Sequence, residues 1–191
     1  MDTLVLNTDL MPVNMLPLST IKWQEAIKAV FLDTVSVIAE YEDWEVHSPS
    51  LTMRVPSVIM TKRYLHFQRK IAFTPEQIYL RDRYTCQYCR KAFPEHKLTM
   101  DHVVPRKHGG KTTWDNIATA CGPCNFKKGS NKRIVPSVMP RKPTYYELLA
   151  IRKDFPLAIP CEQWIDYLDW PADNLFVAEK KKKVIRLDQA A

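Results

Sequence analysis

Two Cys-x-x-Cys pairs, Cys86-Gln87-Tyr88-Cys89 and Cys121-Gly122-Pro123-Cys124, stand 31 residues apart. Each such turn presents two thiolates from one tight loop. Two turns complete a tetrahedral four-sulfur shell around a zinc ion, and a closed shell leaves no open position for chemistry. The expected zinc is therefore structural, and in a short, loop-rich module its binding is folding free energy. Between and just after the pairs lie residues of another kind: Asp101-His102, Asn116 and Asn125. A carboxylate and an amide oxygen suit a hard divalent cation. A neutral imidazole, with its pKa near ~6.5, can accept a proton from water at neutral pH.

These residues need elements to hold them. Thr74-Pro75-Glu76-Gln77 reads as a helix start, with Thr as N-cap and Pro at the first helical position, and the helix should end by about Arg83. Leu98 to Val104 alternates as a strand that Pro105 ends. Neighbours on an ideal strand face opposite ways, so Asp101 and His102 can address one site only where the chain bends. A basic loop with Gly109-Gly110 follows, then a returning strand over Thr113 to Thr119 carrying Asn116. Cys121 to Lys128 opens a short helix that stops at Gly129, with Asn125 and Lys128 near one face.

On the N-terminal side, Val5 to Asn14 reads as a strand and turn. A helix from Ile21 to Leu32 is expected, capped by Ser19-Thr20, with strands over Val35–Ala39, Ser57–Met60 and Tyr64–Phe67. On the C-terminal side, a Pro-punctuated basic connector leads to helices over Thr144–Lys153 and Cys161–Trp170, with a four-lysine run, Lys180–Lys183, near the end. The expected class is α+β. Its domains would be residues 1–73 as a small scaffold or substrate-positioning unit, 74–133 as the metal-bearing module, and 134–191 as a connector with a helical extension.

Composition narrows the function. Hydrophobic residues make up 46% of the 191-residue chain, and no apolar run reaches membrane-spanning length. The N-terminus lacks the pattern of a signal peptide, so no membrane and a cytoplasmic location are expected. In a reducing compartment, paired cysteines argue for metal rather than disulfides; Cys161 is left over as a buried bystander. The formal charge is +7, yet residues 81–133 alone hold 12 Lys and Arg against 4 Asp and Glu. A positive field concentrated on the metal motifs attracts a polyphosphate backbone. Arg106, Lys107, Lys111, Lys127, Lys128, Lys132 and Arg133 are the candidate nucleic-acid contacts.

The pattern Cys86/Cys89, Asp101-His102-Val103-Val104-Pro105, Gly109-Gly110, Asn116, Cys121/Cys124-Asn125 with Lys128 resembles the HNH endonuclease family in its four-cysteine form. A weaker similarity to the N-terminal part of a bacterial subgroup lies in Val5-Leu6-Asn7 and Trp23-Gln24-Glu25-Ala26-Ile27. The resemblance implies a ββα-metal, treble-clef-like module and a metal-dependent endonuclease acting on DNA. It implies His102 as general base, Asp101 and Asn125 as ligands of a catalytic Mg²⁺ or Mn²⁺, and Asn116 as the residue that orients His102 and braces the loop. It also implies that Lys128 or Arg106 stabilises phosphate. Asn125 stands where the family often has His, which suits an oxygen-preferring cation. One active site cuts one strand per event, so the protein would work as a monomer or, for double-strand cleavage, a homodimer. The rival reading is a non-catalytic, zinc-stabilised nucleic-acid-binding module. A zinc-built protein-interaction module, with no salt-dependent affinity for DNA, is a third.

Overall fold

A computed structural model describes residues 2–48, 51–178 and 185–186; of Leu51, Ile185 and Arg186 it describes the backbone only. The Lys180–Lys183 run lies outside the described residues. The fold is mixed α+β and divides into two compact units: one built from residues up to Arg69 together with those from Lys153 onward, the other from Lys70–Arg152.

In the first unit, β1 (Asp2–Leu6) pairs antiparallel with β2 (Thr20–Lys22), which leads directly into α1 (Trp23–Phe31). The helix therefore starts later than expected. Thr20–Lys22 spend their backbone groups on the ladder, and the cap is Lys22, whose N–H donates to Glu25 at 3.3 Å. Trp23 and Ala26 face the core. The long strands β3 (Val35–Ser48) and β4 (Leu51–Thr61) form an antiparallel pair, and β4 also runs parallel to β1. Pro56 sits within β4, where the register shifts between Ala39 and Glu45 of β3; a proline cannot donate to a ladder and is tolerated at such an irregularity. Leu4, Leu6, Ala26, Val55, Val58 and Ile59 form a sealed centre. The strand expected over Tyr64–Phe67 is not formed. That stretch is tied instead by the buried Asn7 side chain, which accepts from Leu65 N–H at 2.8 Å and donates to its carbonyl at 3.0 Å.

The second unit begins with α2 (Pro75–Arg81), capped as its sequence predicts, with Thr74 Oγ1 accepting from Gln77 N–H at 3.4 Å. Next come β5 (Leu98–His102), β6 (Ile117–Cys121) and α3 (Gly122–Lys128), a hairpin and helix in the expected order. The hairpin register pairs Asp101 with Ala118 and His102 with Ile117. Asn116 is not on the returning strand. Residues 113–116 form a turn in which the Thr113 carbonyl accepts from the Asn116 and Ile117 N–H groups at 3.1 and 3.0 Å, with Trp114 buried beneath. Ile78, Tyr79, Leu98, Trp114 and Ile117 make the core, and Phe73 meets Trp114 edge to face at 5.1 Å. α4 (Tyr145–Lys153) closes the unit.

The stretch beyond α4 returns to the first unit through β7 (Leu157–Ile159), β8 (Leu175–Val177), parallel to each other, and β9 (Ile185–Arg186), parallel to β3. The segment expected as one extension, 134–191, is thus shared between the units. The helix expected over Cys161–Trp170 is a shorter 3-10 segment, Glu162–Tyr167. Trp164 is buried and its Nε1–H donates to the Ser57 carbonyl at 2.9 Å, so it packs rather than waiting for a base; Cys161 is buried too.

Candidate functional site

The four candidate zinc ligands lie together. The Sγ atoms of Cys86, Cys89, Cys121 and Cys124 lie within 4.8 Å of one another, and Cys89 and Cys121 are 4.0 Å apart. A tetrahedral zinc with Zn–S bonds near ~2.3 Å needs sulfurs about 3.8 Å apart, so this donor set fits zinc. Backbone geometry builds the first knuckle: Cys86 N–H donates to Lys91 O at 3.0 Å and Arg90 N–H to Cys86 O at 2.8 Å, with Arg90 at φ +61°. Burial opposes ionisation of Cys86, yet the N–H groups of Cys89, Cys121 and Tyr88 bring it down to about 7. Burial and then the Cys121 and Cys86 sulfurs push Cys124 up to about 12. Four sulfurs this close do not ionise together without a cation between them.

α3, which carries Cys124 of the cluster, lies on the hairpin and presents two further side chains to β5. Asn125 Nδ2 donates to Thr99 Oγ1 at 3.0 Å. Lys128 is fully buried: its ammonium sits 2.9 Å from Asp101 Oδ2 and 3.1 Å from Oδ1, and donates to the His102 carbonyl at 2.6 Å. Asp101 also accepts a hydrogen bond from the Tyr88 hydroxyl. Burial, then this bond to Asp101, drives the Tyr88 phenol upward, keeping it a donor. Lys128 therefore departs from the reading that grouped it with surface cations. Arg106, Lys107, Lys111, Lys127, Lys132 and Arg133 are exposed.

His102 is half-buried at the strand end. Its Nε2 lies 2.9 Å from Thr112 Oγ1 and receives Arg106 Nε–H at 3.3 Å. A guanidinium has no acceptor, so Nε2 offers its lone pair to it and the proton sits on Nδ1. Burial first, then Arg106, lowers the imidazole below its usual range, with Lys128 adding to this and Asp101 opposing it. The ring is thus neutral at neutral pH.

Asn116 and the two glycines shape the loop around the ring. Asn116 Oδ1 accepts from Val104 N–H at 2.8 Å, while Nδ2 donates to Val104 O at 3.1 Å and Lys111 O at 2.8 Å. Gly109 takes φ +83°, and a Cβ on Gly110 would come within 1.7 Å of the Val104 carbonyl oxygen. Left-handed backbone at one position and lack of room at the next require the pair.

Sequence reasoning missed five supporting residues. Tyr88, Thr99 and Thr112 hold Asp101, Asn125 and His102. Arg81, beside the hairpin, donates to Trp114 O at 2.9 Å and Ile117 O at 2.7 Å, while its partner Asp82 accepts from Thr119 N–H at 2.8 Å. Only Tyr88 carried a local signal, its place inside a Cys-x-x-Cys turn.

Comparison with known proteins agrees with this geometry. The family model described as HNH endonuclease matches residues 86–131, from the first zinc-binding cysteine past the end of α3. A second model, HNH endonuclease-associated, N-terminal domain, matches residues 3–69, close to the N-terminal part of the first unit. No curated protein matches the chain. The chain thus carries an HNH endonuclease domain at residues 86–131, preceded by an HNH endonuclease-associated N-terminal domain at residues 3–69.

Proposed function

We propose that the protein is a metal-dependent endonuclease that hydrolyses phosphodiester bonds of DNA, with His102 as general base. The single observation that carries this reading is the setting of His102: a half-buried imidazole at a strand end, its Nε2 turned to the loop that bears Arg106 and Thr112. Phosphodiester hydrolysis needs a water deprotonated as it attacks, neutralisation of phosphoryl charge and help for the leaving oxygen. Nε2 would take the water's proton. Arg106, exposed beside the ring, would bind a phosphoryl oxygen and keep the base unprotonated. Asn116 would hold the 104–111 loop so that His102 and Arg106 keep their spacing.

Asp101 and Asn125 offer hard oxygen donors and would hold Mg²⁺ or Mn²⁺. Such a cation, when bound, supplies charge neutralisation at the phosphate and leaving oxygen. The exposed cations Lys107, Lys111, Lys127, Lys132 and Arg133 would follow the DNA backbone. The zinc-binding cysteines would hold the module together and take no part in the chemistry. Residues 1–73 would serve as positioning unit and 74–133 as nuclease module, with 134–191 divided between the two.

The full engagement of Asp101 by Lys128 and Tyr88 favours a second reading, a zinc-stabilised module that binds nucleic acid without cutting it. Incubating the purified protein with supercoiled plasmid and with RNA of matching sequence, in Mg²⁺ and in EDTA, separates the two. Nicking of plasmid in Mg²⁺ alone supports the nuclease. Gel retardation of both nucleic acids with cleavage of neither supports the binding module. Cleavage confined to RNA overturns the DNA assignment.

A further inference from the structure

Lys128 is the most deeply buried charge among the described residues of the hairpin and helix, with its side chain fully enclosed. Burying an ammonium is costly unless it is paired and hydrogen-bonded. Here it is, by both Asp101 carboxylate oxygens and the His102 carbonyl. The ammonium therefore neutralises the one carboxylate of the site and ties down the backbone of the proposed base. It stands against Asp101 where a divalent cation would have to approach.

We propose that Lys128 is the resident counter-cation of this site: a divalent ion binds Asp101 by displacing the Lys128 ammonium, so Lys128 sets the metal affinity. This inference rests on the reading of Asp101 as a metal ligand. Both cations want the same carboxylate, and holding both at once would set like charges side by side in a poorly solvated place. Displacement costs the Lys128–Asp101 pair, so the wild-type site is weak for metal. Tyr88 supports the exchange, because its hydroxyl keeps Asp101 oriented whichever cation is present.

The test uses zinc-loaded, full-length protein and needs no catalysis. Mn²⁺ affinity is measured by titration calorimetry. Four proteins are compared: wild type, Lys128→Met, Asp101→Asn, and Lys128→Met with Asp101→Asn. The proposal predicts at least about tenfold tighter binding for Lys128→Met, lost again in the double variant. Equal affinity in wild type and Lys128→Met, both abolished by Asp101→Asn, overturns the proposal and leaves the metal-ligand reading standing. Binding that ignores Asp101 in every background overturns both.

Because Lys128→Met leaves a buried carboxylate unpaired and can fail to fold, a second measurement uses wild type alone. Acetylation of each lysine is followed by peptide mass spectrometry with and without saturating Mg²⁺. Lys128 should be protected without Mg²⁺ and become at least about tenfold more reactive with it, while the exposed Lys127 stays unchanged. Protection of Lys128 that persists at saturating Mg²⁺ contradicts displacement.

Discussion

Asn116 makes three hydrogen bonds to the backbone of the 104–111 loop, two of them to Val104. An alanine there loses all three and leaves backbone groups to seek water. With each bond contributing about 1 kcal/mol, Asn116→Ala should cost about 1–3 kcal/mol in urea unfolding. It should also slow cleavage through misplacement of His102, while zinc content stays at one per chain. Gly110→Ala is the harsher change. Its Cβ would meet the Val104 carbonyl at 1.7 Å, so the loop must move. We expect a loss of about 2–3 kcal/mol, whereas an alanine at the open Gly122 position, with nothing within 4 Å of the added carbon, should cost less. Equal effects of the two glycine changes would contradict the packing argument. At this scale the types and spacings were legible: the paired cysteines, the Asp-His dipeptide and the double glycine announce themselves locally. The burial of Lys128 was not, because a lysine on a short polar helix reads as solvated until the strand it lies on is placed against it.

Helix α2 carries a lever that helical periodicity does not reveal. Arg81 and Asp82 form a nearly buried pair at its end. Between them they bind backbone groups of Trp114, Ile117 and Thr119, and the guanidinium also lies 5.8 Å from the Trp114 ring centroid. Sequence reading counts Arg81 as an ordinary cation near a helix end, since its partners lie more than thirty residues on. Removing one member of a buried pair strands the other, so Arg81→Ala should destabilise by about 3 kcal/mol or more in urea unfolding. α4 offers a pH-dependent counterpart. Arg141, then the Thr144 N–H and hydroxyl, hold Glu147 down to about 2. Its folded pKa lies below the ordinary value near ~4.3, so its contribution is complete above that value and is lost as pH falls towards 2. The melting temperatures of wild type and Glu147→Gln should differ at pH 7 and converge as pH approaches 2; a constant gap across that range would contradict the assignment.

At the scale of the whole molecule, the hairpin-and-helix module was legible because its signals are local. The first unit was less so. β2 replaces the expected helix start through pairing with β1, and β9 joins β3 from far along the chain, both contacts that periodicity cannot see. Charge distribution is the other whole-molecule property. In EDTA, replacing Lys127, Lys132 and Arg133 with alanine should weaken DNA binding and flatten its salt dependence by up to about 0.9 log units per lost contact. Lys128→Ala should leave the slope unchanged, since that ammonium is enclosed. No described helix is long and apolar enough to cross a membrane.

In the proposed reaction His102 would activate water for phosphodiester hydrolysis. The most direct measurement is the single-turnover rate of plasmid nicking in Mg²⁺ by wild type and His102→Ala, with DNA affinity and zinc content followed on the same preparations. Loss of a positioned base should lower the rate by about 10²-fold or more, with affinity and zinc unchanged, because among the described residues the His102 side chain hydrogen-bonds to the exposed Thr112 and Arg106. Equal nicking by both proteins would rule out His102 as the general base.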